Sequence, residues 1–171
     1  GGLDHGVTVE VNNGVTPAAT QSFTITVPVA ISGLVAYWHL DEAGGNTYMD
    51  SNGINDGTGN PSPTATTGQV NGGQLFDGTT TKIEVPPSPT FDFAADGDFS
   101  VELWYKGTNT GVINVAMGRK IPNANWFIGS YPSGKAIFYM YSGGSSTSAY
   151  GPVITDGNWH HLVATRNGTS G

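Results

Sequence analysis

The sequence contains no cysteine, which excludes disulfide bridges and thiol-based catalysis. Because disulfides are common in secreted eukaryotic β-sandwiches, this absence favours a prokaryotic origin. Charge is also scarce, at 11% of residues, and acidic residues outnumber basic ones 13 to 6 for a net charge of −7. We therefore expect no nucleic-acid partner. No apolar run approaches the roughly 20 residues that span a membrane.

Glycine and proline are abundant, at 26 and 10 of 171 residues, and helical periodicity is missing. Short β-branched and aromatic runs between turn residues predict an all-β sandwich. A hairpin around Asp77-Gly78 is expected to join 73–76 to 81–85, and 50–68 is expected to be loop. The other expected strands are 34–40, 99–105, 112–116, 126–130, 136–141, 146–150 and 160–166.

The first 31 residues form a unit of their own. Segments 7–12 and 21–27 alternate apolar and polar residues, so each predicted strand has one dry face. They resemble the last two strands of a bacterial immunoglobulin-like or cadherin-like module. Two interpretations remain open: they end a preceding module, or they are donor strands that complete a neighbouring copy.

Five segments further along the chain occur in a characteristic order. They are GLVAYWHLDEAGG (33–45), DSNGINDGT (50–58), GGQLFDGTTTKIEVP (72–86), FSVELWYK (99–106) and DGNWHHLVATRNG (156–168). Together they resemble a bacterial laminin G-like domain of the concanavalin A-like lectin/glucanase superfamily. The resemblance implies a jelly-roll β-sandwich over 32–171, found in extracellular adhesion or glycan-binding proteins, many of which bind calcium. The family continues with further strands after the Trp-His-His strand, so we expect this domain to lack its C-terminal strands.

Acidic residues are not arranged for glycoside hydrolysis. Catalytic relatives place carboxylates at alternating positions of one strand, so that a pair lies within reach of one glycosidic bond. Here Glu84 and Glu102 each stand alone in a predicted strand. His160 and His161 are adjacent on a strand and therefore face opposite sides. We predict that the protein is not an enzyme.

A polar loop carries the best candidates for a metal site. Calcium prefers oxygen ligands on adaptable loops, and residues 50–56 supply four oxygen-bearing side chains. The alternative is that these Asp and Asn residues form turns by bonding their own backbone. The predicted calcium ligands are Asp50, Asn52, Asn55 and Asp56, with Asp41 and Asp77 as additional candidates.

Aromatic residues in the polar middle segment are candidates for stacking on sugar rings. In the strand 136–141, Tyr139 and Tyr141 share one face and Phe138 and Met140 the other. The alternative is that the tyrosines belong to a second core face. The predicted ligand-binding residues are Trp126, Tyr131, Tyr139, Tyr141 and Tyr150, whereas Trp38, Trp104 and Trp159 are predicted to be core.

The resulting prediction is a non-catalytic, extracellular or cell-surface carbohydrate-binding or adhesion module, stabilised by calcium. Its partner would be a glycan or another cell-surface ligand. The alternative is a structural subunit of an extracellular filament, in which strands 7–12 and 21–27 of one copy complete the sandwich of the next.

Overall fold

The computed structural model describes residues 5–11, 19–25, 33–93, 97–122 and 124–168. Within these ranges the chain is built from strands and a short 3-10 turn at Pro89–Phe91, so the all-β prediction is confirmed. The strands are β1 (His5–Val11), β2 (Ala19–Ile25), β3 (Thr47–Tyr48), β4 (Gly57–Gly59), β5 (Thr64–Thr67), β6 (Gly72–Leu75), β7 (Ile83–Glu84), β8 (Phe99–Thr108), β9 (Asn114–Ile121), β10 (Ala124–Ser130), β11 (Lys135–Ser142), β12 (Ser145–Val153) and β13 (Asp156–Arg166).

Two antiparallel sheets face each other across the core. One contains four strands in the order β12-β11-β10-β9, and the other pairs β13 with β8. Smaller sheets are formed by β3-β4-β7, by β5-β6 and by β1-β2. This arrangement is the antiparallel sandwich that the sequence pattern predicts.

Alternation along the strands explains why these two sheets pack together. In β8 Val101 is buried, whereas its neighbours Ser100 and Glu102 are exposed. In β13 Leu162 and Ala164 are buried in the same way, and they belong to one core cluster with Ile128 and Phe138 of the four-stranded sheet. Each large apolar side chain buried in this way contributes about 1.5–3 kcal/mol to folding.

The pairing of β8 with β13 fixes which residues share a face. Leu103 lies opposite Leu162, and Trp104 lies opposite His161. The register shifts between Asp156 and Trp159, so the start of β13 is irregular. The predicted last strand 160–166 is confirmed, and the structure extends it back to Asp156.

The predicted strand at 34–40 is wrong. This stretch makes one isolated bridge, between Trp38 and Asp50, and is otherwise irregular. The backbone N–H of Tyr37 donates to the Asp50 carboxylate at 2.9 Å instead of to a neighbouring strand. Leu40 also has φ of 57°, which is incompatible with an extended strand.

The predicted hairpin around Asp77-Gly78 is also wrong, and so is the predicted loop 50–68. β6 pairs with β5, and β7 pairs with β4, so the two expected hairpin strands lie in different sheets. β4 and β5 both lie inside the expected loop. Their sequences, GTG and TATT, lack the apolar alternation that signals a strand. These two segments are strands because they pair with β7 and β6.

At the N-terminal end, β1 and β2 pair antiparallel with Val7 opposite Phe23. The expected strands 7–12 and 21–27 are thus found with shifted bounds, and residues 12, 26 and 27 lie outside the described residues. Division of the chain into 1–31 and 32–171 stays a prediction, as does the resemblance of the first unit to an immunoglobulin-like module.

Candidate ligand-binding surface

The two faces of β11 have opposite environments. Phe138 is buried in the core, and Met140 packs against the same cluster. Tyr139 and Tyr141 therefore lie on the face that points away from the core, where both are half-buried. The predicted division of these four side chains between two faces is confirmed.

Neighbouring strands extend this outer face into an aromatic surface. Phe127 of β10 lies opposite Tyr139, with ring centroids 5.1 Å apart and ring planes at 25°. Asn125 lies opposite Tyr141. On the other side of β11, Ser148 lies opposite Tyr139 and Ser146 opposite Tyr141. We call the set Phe127, Tyr139, Tyr141 and Tyr150 the tyrosine face.

Tyr150 closes one end of the tyrosine face. Tyr150 is on β12, opposite Ile137 of β11. Because Ile137 and Tyr139 are two residues apart on one strand, Tyr150 shares a face with Tyr139, and it is 55% exposed. Its ring meets that of Tyr131 edge to face at 5.3 Å. Tyr131 is held by a tight turn, in which its N–H donates to the carbonyl of Lys135 at 2.8 Å. Both rings are exposed and in contact with each other.

Trp126 lies on the wrong side of the sheet for this surface. Its ring packs against the core cluster, 5.8 Å from that of Phe99 and 6.5 Å from that of Phe138. Alternation along β10 sends Trp126 inward and Phe127 outward. Trp126 therefore does not belong to this surface, contrary to the prediction, and Phe127 does, as the Asn125-Trp126-Phe127 alternation could have indicated.

The absence of a side chain at Gly118 leaves space for Phe127. Gly118 of β9 lies opposite Phe127, and a β-carbon at position 118 would come within 2.8 Å of the Phe127 β-carbon. Real side chains do not tolerate such an approach, so a larger residue at 118 would force Phe127 or the backbone of β10 to shift. The position of Phe127 thus depends on a residue that carries no side chain.

The isolated carboxylates lie in different sheets. Glu84 of β7 pairs with Lys82 at 2.8 Å. Glu102 of β8 lies 3.6 Å from His161. On the other side of β13, His160 bonds Asp156 at 2.8 Å. This hydrogen bond, together with the N–H of Asn158, holds the pKa of Asp156 well below its usual range. No two of these carboxylates converge on a common point of the tyrosine face.

Asp50 organises the polar loop through its carboxylate. One oxygen accepts the N–H groups of Tyr37 and Asn52, and the other accepts the N–H of Asn55 at 3.1 Å. Asp50 is only 2% exposed. Burial raises the pKa of Asp50, but the backbone hydrogen bonds outweigh it and leave the pKa lowered. This role is the turn-forming alternative considered for the loop.

The remaining loop residues keep some oxygen atoms available. Asn52 donates to the carbonyls of Leu34 and Val35. One oxygen of Asp56 accepts the N–H of Asp50 at 2.8 Å. The amide oxygen of Asn55 is buried without a hydrogen-bond partner among the described residues. Asn55 and Asp56 line a cleft of about 320 Å³ with Ile54, Pro86, Pro87, Ser88 and Pro89.

In the described part of the chain, no hydrogen bond or ion pair joins Asp41 or Asp77 to the 50–56 loop. Asp41 lines a separate shallow cleft with Glu42 and Gly72. Asp77 bonds the hydroxyl of Thr80 and the N–H groups of residues 79–81, which hold its pKa well below the usual range. Across the described ranges, no group of three or more His, Cys, Asp or Glu side chains could hold a metal ion.

The antiparallel β-sandwich is the fold class of concanavalin A-like domains. A laminin G family model of the concanavalin A-like lectin/glucanases superfamily matches residues 77–171, which is more than half of the chain. The chain therefore belongs to this family. Laminin G-like domains are usually extracellular and generally non-catalytic.

Neither the search of curated proteins nor the search of solved structures gives a match. The matched segment includes β8–β13, and thus both large sheets and the whole tyrosine face. In the described part of the chain, no helix has the length and apolar character needed to cross a membrane.

Proposed function

We propose that this protein is a non-catalytic, extracellular module that binds a neutral glycan on the tyrosine face. The observation that carries the proposal is the stacked pair Phe127–Tyr139, which lies on the outer side of the four-stranded sheet. A prokaryotic setting is part of the proposal and is supported by the absence of cysteine.

The chemistry of the face fits a sugar ring. The C–H side of a pyranose is apolar and stacks on flat aromatic side chains, whereas its hydroxyl groups need hydrogen-bond partners. Ser146, Ser148 and Asn125 place such partners beside the tyrosines. A net charge of −7 would repel anionic glycans, which favours a neutral ligand.

Removal of one central ring tests the proposal. We expect Tyr139→Ala to weaken binding to a soluble neutral glucan, mannan, galactan or xylan about tenfold or more, as for a central aromatic residue of a binding surface. Tyr139→Phe should retain most of the affinity. The matched control is Val112→Ala, which removes a side chain 58% exposed outside the tyrosine face. Equal affinity of wild type and Tyr139→Ala would overturn the proposal.

Calcium is a separate proposal for the loop at 50–56. Support comes from the buried, unpartnered amide oxygen of Asn55 beside the Asp56 carboxylate, since calcium accepts both kinds of oxygen. Asn55 and Asp56 would hold the ion together with backbone carbonyls, and its effect would be to stabilise the loop. Asp50 and Asp77 already use their carboxylates for backbone hydrogen bonds.

A second candidate function is assembly of copies by strand exchange. The observation that favours it is that β1–β2 forms a sheet of its own, whereas the β13–β8 sheet has an open edge on each strand among the described residues. Two strands alone are marginally stable in water. If copies exchange strands, deletion of 1–30 should convert an assembled protein into a monomer in size-exclusion chromatography. A wild-type chain that is already a folded monomer would contradict this candidate.

A further inference from the structure

The outer face of the β13–β8 sheet carries a second aromatic surface. Trp104 is 45% exposed, although a tryptophan inside a strand was expected to be core. It points outward because the alternation of β8 sends Val101 and Leu103 towards the core and Glu102, Trp104 and Lys106 away from it. The alternation of apolar and polar residues in β8 therefore already indicated that Trp104 points outward.

Cross-strand pairing completes the surface. Trp104 lies opposite His161, with ring centroids 4.9 Å apart and planes at 30°. Lys106 lies opposite Trp159, with its ammonium 6.0 Å from the ring centroid. Glu102 lies opposite Val163 and reaches His161 at 3.6 Å. We call Glu102, Trp104, Lys106, Trp159, His161 and Val163 the tryptophan face.

The tryptophan face and the tyrosine face lie on opposite sides of the sandwich. The inner side of the β13–β8 sheet contributes Val101, Leu162 and Ala164 to the core. The inner side of the four-stranded sheet contributes Ile128 and Phe138 to the same cluster. Because successive residues of a strand alternate between faces, the two outer surfaces point in opposite directions.

We propose that the tryptophan face is a second platform for neutral glycan, so that one module bridges two glycan chains. The ligand class rests on the proposed function, but the site is independent of the tyrosine face. The Trp104 indole offers a flat apolar surface for a sugar ring. Two binding surfaces on one rigid body join two chains and raise the apparent affinity for a dense glycan layer.

The charged groups of Glu102 and Lys106, which flank Trp104 along β8, favour a sugar over an apolar protein partner. Glu102 lies two residues before Trp104 on the same face of β8, and Lys106 lies two residues after it, so a hydrogen-bond acceptor and a donor border the ring. Sugar hydroxyls satisfy both. An apolar partner would instead take the Lys106 ammonium and the Glu102 carboxylate out of water and offer neither of them a hydrogen bond. One charge of each sign near the ring also suits a neutral ligand.

The experiment uses the whole chain, the variants Trp104→Ala, Trp104→Phe and Tyr139→Ala, and the control Val112→Ala. The probe is the soluble neutral polysaccharide that wild type binds best among glucan, mannan, galactan and xylan. We measure affinity by titration, and cross-linking by light scattering. Wild type, Trp104→Phe and Val112→Ala should cross-link the polysaccharide. Trp104→Ala and Tyr139→Ala should each still bind but scatter no more than the polysaccharide alone. A further variant that carries both of these substitutions should lose binding.

The outcomes separate this inference from the proposed function. If Trp104→Ala cross-links like wild type while Tyr139→Ala loses binding, the inference is overturned and the proposed function stands. If Trp104→Ala abolishes binding and Tyr139→Ala has no effect, the proposed site and the bridging are both wrong. If wild type is a dimer that Trp104→Ala converts to a monomer with unchanged affinity, the face is a self-association surface and the inference fails. Lack of binding to all four polysaccharides overturns both proposals.

Discussion

The carboxylate of Asp50 accepts the backbone N–H of Asn55 at 3.1 Å inside a loop that buries both residues. The same carboxylate also accepts the N–H groups of Tyr37 and Asn52. One side chain thus supplies hydrogen-bond acceptors to the backbone of two segments, the one around Tyr37 and the loop after Asp50. The loop is thus held together by hydrogen bonds to one buried carboxylate, and we expect the stability of the fold to depend on that carboxylate.

Asp50→Asn should lower the free energy of unfolding by about 1–3 kcal/mol. An amide has one acceptor oxygen, so its NH₂ group would face at least one backbone N–H and leave that donor buried and unpaired. Urea unfolding measures the difference. The matched control is Asp41→Asn, because Asp41 is exposed and should tolerate the change. Equal unfolding midpoints for wild type and Asp50→Asn would contradict this role.

Acid should destabilise the protein partly through Asp50. Its pKa is lowered in the folded state, so its contribution is fully present above the unfolded pKa, about 3.9, and is lost as pH falls towards the folded pKa. Asp77 and Asp156 act in the same direction. We therefore expect the stability gap between wild type and Asp50→Asn to shrink below about pH 4. A gap that is constant from neutral pH to pH 3 would refute this linkage.

Gly129→Ala should be strongly destabilising. A β-carbon at 129 would lie 2.0 Å from the carbonyl oxygen of Asn114, where the register between β9 and β10 shifts. Backbone must then move, and we expect a loss of at least about 1–3 kcal/mol in thermal or urea unfolding. Gly44→Ala is the control, because nothing lies within 4 Å of its added methyl group. If both variants unfold at the same temperature, the close approach at Gly129 does not constrain the sheet.

Millimolar calcium should raise the unfolding temperature of wild type if the 50–56 loop holds an ion. A ligand at about ten to a hundred times its dissociation constant stabilises by about 1–3 kcal/mol. The shift should persist in Asp77→Asn and disappear in Asp56→Asn. The latter can keep the hydrogen bond from the N–H of Asp50 but loses the charge. Identical melting curves in calcium and in chelator would exclude the site.

Several features of the site could be predicted from the sequence because they depend only on the two-residue alternation of side chains along a strand. Alternation in β11 sends Tyr139 away from Phe138, whatever the neighbouring strands are. The same rule applied to β8 would have placed Trp104 outside, but the expectation that tryptophan is core overrode it. Alternation along β10 already places Phe127 on the face opposite Trp126. Its stacking on Tyr139 and its approach to Gly118 appear only when β10 is paired with β11 and β9.

Other features required the folded chain. β4 and β5 have no apolar pattern, and their pairing with β7 and β6 replaces the hairpin expected around Asp77. Asp77 instead bonds the N–H groups of its own turn.

The sequence by itself determined the all-β class and the faces of the long strands, since these follow from a period of two residues and local turn chemistry. The ordered set of five segments carried the resemblance to the family. Only the tertiary structure decided which strands pair, which oxygen atoms of the polar loop remain available, and that two aromatic faces lie back to back. Such relationships depend on long-range partners, and local preference does not specify long-range partners.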